Sequence, residues 1–244
     1  MDAIFSHDGC FIPTLNKMGY MALSLDKYTK GFVDFCISKE EGLYLDIGCA
    51  FGVATFPVLY AERNIVACDM DKRHLEVMQS VADEKFLNHL TFVEGHLPDN
   101  LSFPANSFDA INISMVLHFL PGRKIMRSLR NILKWLKSEG RVYVTVSTPY
   151  QGTLRNFIPV YEKRIKESVT WPGVIRDIHQ YIPQRSGELP KFNHVLTPEI
   201  LKNSFEKCDF TIIEHGFFSR ENIPQDIAYD GREYAGLIAK KKPC

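Results

Sequence analysis

Short apolar runs alternate with stretches of helical apolar spacing through the first 148 residues, and that order leaves few folds open. Leu43–Ile47, Ile65–Cys68, Leu90–Glu94, Phe108–Ser114 and Arg141–Val146 read as strands. None shows a clean period of two, as expected of strands covered on both faces. Between them the apolar spacing is helical. Lys27–Ile37 carries Tyr28, Phe32, Phe35 and Cys36 on one face, and Arg123–Lys137 carries Ile125, Leu129, Ile132, Leu133 and Leu136. Phe51–Ala61 is predicted helical, with Pro57 kinking it or moving its start. Asp71 is placed to cap a helix running to about Leu87, with Leu75, Met78, Val81 and Ala82 inward. Strand–helix alternation of this kind predicts an α/β fold, a doubly wound, mostly parallel sheet with helices on both faces.

The alternation breaks at residue 149. Residues 149–196 hold Pro149, Pro159, Pro172, Pro183 and Pro190 among Tyr, Trp and His, which predicts an inserted lid of short helices and loops. Regular order resumes with a helix opened by Thr197-Pro198-Glu199. Phe210–His215 and Tyr234–Ala239 then supply two more strands, for a seven-stranded sheet. The reading is one domain over residues 1–244, with a helical N-terminal segment at 1–41 and the insertion at 149–196.

Composition narrows the partners. The 29 basic and 29 acidic residues cancel, which disfavours wholesale binding to a phosphate backbone. No apolar run approaches the roughly 20 residues needed to span a bilayer, and Met1–Asp8 lacks the basic-then-apolar pattern of a secretory signal. The six cysteines (Cys10, Cys36, Cys49, Cys68, Cys208 and Cys244) are scattered, without a CxxC pair. Buried free thiols in a reducing cytoplasm, and no zinc or other metal, are the expectation.

The most informative segment is Asp46-Ile47-Gly48-Cys49-Ala50-Phe51-Gly52. Glycines in a strand-to-helix turn let the backbone bend tightly and approach a ligand, and the following helix offers amides to it. Asp69 ends the second strand about 20 residues on, where a carboxylate accepts two hydrogen bonds from the ribose of an adenosine. Asp71 is the better helix cap, which leaves Asp69 for a ligand. The dinucleotide pattern G-x-G-x-x-G is not met, because position 50 is Ala and the next glycine is Gly52. Asp46 would repel a diphosphate but attract an ammonium. S-adenosylmethionine carries that ammonium and no phosphate.

With these residues in view, Tyr44–Gly52 resembles the first motif of class I S-adenosylmethionine-dependent methyltransferases, usually acid-x-Gly-x-Gly-x-Gly, with Ala50 as the departure. Ala67–Asp71, Phe92–His96, Phe108–His118 and Leu136–Gly140 continue the likeness, which covers about residues 42–148 in detail. The resemblance implies that Gly48 approaches the methionine portion, with Asp46 beside its ammonium and Cys49, Ala50 and Gly52 in the same turn. It implies that Asp69 holds the ribose and that Met70 packs on the adenine. His96, with Leu97, stands where the family often has an acid for the adenine amino group, and Ser114 lines the pocket near the methyl donor. An antiparallel final strand is also implied.

The implied reaction is methyl transfer from S-adenosylmethionine to a small-molecule acceptor. His118, His179 and His194 are the candidate acid–base side chains, each weighed against a packing role. Tyr20, Tyr28, Tyr150 and Trp171 are candidates for the substrate wall, again against a small core of their own. Tyr161 and Tyr181 belong to the same aromatic set. The Asn/Asp-Pro-Pro-aromatic motif of DNA methyltransferases is absent at Asn112-Ile113-Ser114-Met115. Two rival readings stand beside this one: a nicotinamide-dependent oxidoreductase, and a degenerate methyltransferase-like binding domain. Oligomeric state stays open between monomer and homodimer.

Overall fold

Residues 10–242 are described by a computed structural model of the protein. A hairpin of β1 (Phe11–Pro13) and β2 (Tyr20–Ala22) precedes α1 (Lys27–Ile37). Then follow β3 (Leu43–Ile47), α2 (Thr55–Tyr60), β4 (Asn64–Asp69), α3 (Lys72–Val81), β5 (Leu90–Glu94) and β6 (Phe108–Ser114). After them come α4 (Gly122–Trp135), β7 (Leu136–Ser147), α5 (Ile158–Lys166) and the two-residue strands β8 (Val174–Ile175) and β9 (Asn193–His194). The chain closes with α6 (Pro198–Glu206), β10 (Phe210–Phe218) and β11 (Tyr234–Lys241).

Seven strands form the main sheet in the order β10-β11-β7-β6-β3-β4-β5. β3 to β7 pair in parallel, and β11 runs antiparallel to both β7 and β10. The doubly wound sheet with its antiparallel closing strand is therefore as the sequence predicts. β3 lies between β6 and β4, so successive crossovers leave it on opposite sides. A ligand crevice opens at such a switch point, beyond the carboxyl ends of the strands. Apolar side chains cover both faces. Leu45, Ile111, Val142 and Val144 pack with Ile125, Leu129 and Ile132 of α4. Tyr44, Ile65, Ala110 and Tyr143 pack with Phe32, Val33 and Cys36 of α1 on the other face.

Several boundaries differ from the expectation. The predicted helix Phe51–Ala61 begins only at Thr55, because Ala50 and Gly52 hold positive φ and keep 48–54 in a turn. The helix opened by Asp71 stops at Val81 rather than Leu87, and a 3-10 turn covers Glu84–His89. Val81, expected inward, is exposed. α4 ends at Trp135, because Leu136 already pairs with Phe108 before the register shifts to Ala110–Arg141. Residues 149–196 carry α5, the β8–β9 pair and short 3-10 turns around Leu154, Phe157, Tyr161, Ile178 and Ile182.

Among the described residues no helix is long and apolar enough to cross a membrane, and no group of three metal-ligating side chains gathers. Cys36, Cys49, Cys68 and Cys208 are buried free thiols. Cys244 and the Met1–Asp8 segment lie outside the described residues.

Candidate functional site

The carboxyl ends of β3, β4 and β6 open into one cavity of about 820 Å³, within the 300–1,000 Å³ range usual for ligand pockets. Parallel pairing sets Asp46 of β3 opposite Asn112 of β6, and Asn112 Nδ2 donates to Asp46 Oδ1 at 2.8 Å. Thr55 Oγ1 donates to Asp46 Oδ2 at 2.7 Å. Asp46 is only 2% exposed. Burial pushes its carboxyl above the usual range, while the Thr55 and Asn112 hydrogen bonds pull the other way. The two hydrogen bonds leave its charge without a cation among the described residues. An ammonium entering the cavity would supply one, so the donor set fits the amino-acid end of S-adenosylmethionine.

The turn after β3 is tied down by the Gly48 and Cys49 amides, both donating to the Cys68 carbonyl at 2.8 and 3.0 Å. Gly48 has φ +74°, and a Cβ there would lie 2.3 Å from Val116 Cγ2. Ala50 takes φ +45°, and its amide donates to Asp69 Oδ2 at 2.9 Å. Asp69, at the end of β4, also accepts from the Asp71 amide at 2.9 Å and meets His74 Nδ1 at 3.0 Å, both on Oδ1. A carboxylate offers about four acceptor sites. Three are taken by these partners, which leaves an acceptor position on Oδ2.

Most of the cofactor-side candidates line this cavity: Asp46, Gly48, Cys49, Ala50, Asp69 and Met70, together with His96, Leu97 and Ser114. Gly52 does not. It faces Met78 and Phe56, which fill the space a Cβ would need, so it serves packing behind the turn. Met70 is half exposed at the rim. His96 is anchored by its own amide, which donates to Asn100 Oδ1 at 2.7 Å. Ser114 Oγ lies 2.9 Å from Thr145 Oγ1.

The acceptor side departs further from the sequence reading. Tyr20 and His118 line the cavity, but Tyr28, Tyr150, Trp171, His179 and His194 do not. Tyr28 is buried against Gly236 and Phe218. Tyr150 lies beneath the Arg232 guanidinium, 3.7 Å from its centre. Trp171 fills the space beside Gly122 and meets His194 edge-on at 5.0 Å. His194 Nδ1 donates to the Leu120 carbonyl at 3.0 Å, and His179 Nε2 bonds the Leu189 carbonyl at 2.9 Å. Each is spent on structure. Burial, with a lesser contribution from His194, pushes His118 down to about 3. Such a ring is neutral at pH 7 and a weak base, so it suits a hydrogen bond to a ligand better than proton abstraction.

Three contributors were not anticipated. His74 reaches Asp69 as described, from an α3 position that reads as packing. The β1–β2 hairpin brings Pro13, Thr14, Asn16 and Met18 to the cavity, and the loop between β10 and β11 brings Arg220, Pro224 and Asp226. Three-residue strands and a polar loop leave no periodic signal to read.

The fold is that of class I S-adenosylmethionine-dependent methyltransferases, and the cavity at its switch point resembles their cofactor site. Residues 45–140 match the methyltransferase domain family. An uncharacterized methyltransferase, YcgJ of Bacillus subtilis, is 28% identical over 121 residues, 49% of this chain. The matched part spans 47% of that relative's length. A SAM-dependent methyltransferase from Methanosarcina mazei superposes with a TM-score of 0.62 at 20% identity, over 83% of this chain and 93% of that one. An S-adenosylmethionine-dependent methyltransferase from Mesorhizobium loti gives 0.62 at 15% identity, over 88% and 98%.

Proposed function

We propose that the protein transfers the methyl group of S-adenosylmethionine to a small, largely uncharged acceptor. The observation that carries this reading is the division of charge in the cavity. On the cofactor side, Asp46 is a buried carboxylate without a cation among the described residues. On the other side, the guanidinium groups are already paired: Arg220 with Asp26, and Arg185 with Asp226 at 2.7 Å. An anionic acceptor such as a nucleic acid finds no free guanidinium there, whereas Leu154, Ile178, Ile182 and Val195 offer apolar surface. When bound, S-adenosylmethionine supplies an activated sulfonium methyl for in-line displacement by the acceptor's lone pair. The chain's own residues then have to bind, orient and exclude water. Asp46 and Asp69 hold the two ends of the cofactor, Met70 rests on its adenine, and His118 with Tyr20 meets the acceptor. Residues 149–196 act as the lid over this half of the cavity. The free thiols suit a reducing compartment, and we place the protein in the cytoplasm.

Calorimetric titration with S-adenosylmethionine and S-adenosylhomocysteine tests the reading. Micromolar binding is expected, weakened about ten- to a hundredfold in Asp69→Ala, since a hydrogen bond to a charged group contributes about 1.5–3 kcal/mol. Absence of binding by both ligands, or binding of reduced nicotinamide cofactor in their place, would overturn it.

A further inference from the structure

A single buried imidazole joins the cofactor rim to the N-terminal hairpin. His74 is fully enclosed on α3. Its Nε2 accepts the Leu15 backbone N–H at 2.9 Å. A backbone amide only donates, so the ring proton sits on Nδ1 and is given to Asp69 Oδ1 at 3.0 Å. Phe51 packs against the imidazole nearly at right angles, with 4.9 Å between ring centres. The neighbouring Arg73 donates through Nη2 to the Leu15 carbonyl at 2.8 Å. Both backbone polar groups of Leu15 are thus clamped to the first turn of α3.

The other end of the same strap reaches the inserted region. The Gly19 amide donates to the Glu188 carbonyl at 2.9 Å, and a Cβ on Gly19 would touch Leu189. Residues 14–19 therefore bridge the cavity from its cofactor rim to its acceptor rim, with Thr14, Asn16 and Met18 facing inward.

We propose that His74 is a positioning residue that couples cofactor capture at Asp69 to docking of the 14–19 strap over the cavity. The inference rests on the cofactor reading above. A ribose hydroxyl on the free Oδ2 site fixes the carboxylate. The carboxylate fixes the imidazole, and the imidazole holds the Leu15 amide. Coupling of this kind is reciprocal: the docked strap raises cofactor affinity by the factor by which the cofactor favours docking.

The test is amide hydrogen exchange over residues 10–22, with and without S-adenosylhomocysteine, beside calorimetry on the same samples. In the native protein the ligand is expected to slow exchange of the strap amides at least tenfold. His74→Phe should bind about tenfold more weakly, the scale of one hydrogen bond to a charged group, and its strap exchange should no longer respond to ligand. His74→Gln keeps a donor and an acceptor on one side chain and should recover much of both. Leu15→Pro deletes the accepted N–H from the strap side, leaves the buried ring in place, and should weaken binding severalfold. Native affinity in His74→Phe or Leu15→Pro, or failure of His74→Gln to recover, overturns the coupling. A native protein that binds no S-adenosylhomocysteine overturns the cofactor reading itself, a result visible before any variant is made.

Discussion

Ala50 holds the left-handed backbone at φ +45° between Gly48 at +74° and Gly52 at +84°. That conformation costs an L-residue about 1–2 kcal/mol, while glycine pays about 0.5–1 kcal/mol in chain entropy elsewhere. The departure from the family pattern is therefore one of side chain and not of backbone path. Ala50→Gly should be neutral to slightly stabilising and leave S-adenosylhomocysteine affinity intact. Gly48→Ala should destabilise by about 2 kcal/mol or more, from the same backbone cost plus the contact with Val116, and should lose most ligand binding. Urea titration and calorimetry on the two variants check both statements. A Gly48→Ala protein as stable as the native one would show that the turn relaxes. At this scale the glycines and the two aspartates are legible in the sequence, because a tight turn and a ribose each demand a particular residue type. His74 is not legible. It stands next to Leu75 on the face that packs, and its partner Leu15 is 59 residues away.

Elements are legible where they are long enough to show a period. Strands β3 to β7 and helices α1, α3 and α4 follow from apolar spacing, while their ends follow from tertiary pairing, as at Leu136. The β1–β2 hairpin and the loop between β10 and β11 have no such pattern, yet both reach the cavity. The loop is held by Arg220, which pairs with Asp26, the N-cap of α1; their side chains are 8% and 1% exposed. Asp26 also accepts from the Tyr28 and Thr29 amides. Removing the guanidinium leaves a buried carboxylate whose charge is met only by those amides and the Thr29 hydroxyl. Arg220→Ala should therefore cost about 3 kcal/mol, the lower part of the range for a broken buried pair, as measured by urea unfolding. Arg220→Ala combined with Asp26→Asn should recover part of the loss. Equal loss in the single and double variants would mean that the loop, and not the charge, matters.

Across the whole molecule, the inserted region is joined to the sheet domain at His194, which bonds Leu120, and His194 and the nearby His118 are both kept neutral by burial. His118 lies beside the carboxyl edge, and His194 on β9 packs on Trp171 and bonds Leu120. Burial first, and for His118 also the neighbouring His194, pushes them down to about 3 and about 4. The hydrogen bond to Leu120 acts in the opposite sense on His194 but does not win. An unfolded chain protonates its histidines near pH 6.5. Both folded-state values are lowered, so their stabilising contribution is complete above that pH and is lost as pH falls toward 4 and 3. Between pH 7 and pH 5 the two together should remove about 4 kcal/mol of stability. Asp46 works the other way, because its raised carboxyl takes up a proton more readily in the folded protein than in the unfolded chain. Its relief begins only as pH falls through that raised value, and one carboxyl is set against two imidazoles. The net expectation is a folded state that weakens in mild acid. Urea midpoints at pH 7 and pH 5 measure it, and His118→Leu isolates half of the effect, so its loss between the two pH values should be about half the native loss. A variant that loses as much as the native protein would mean that His118 takes up its proton in the folded state, so that burial in the cavity wall does not keep the ring neutral.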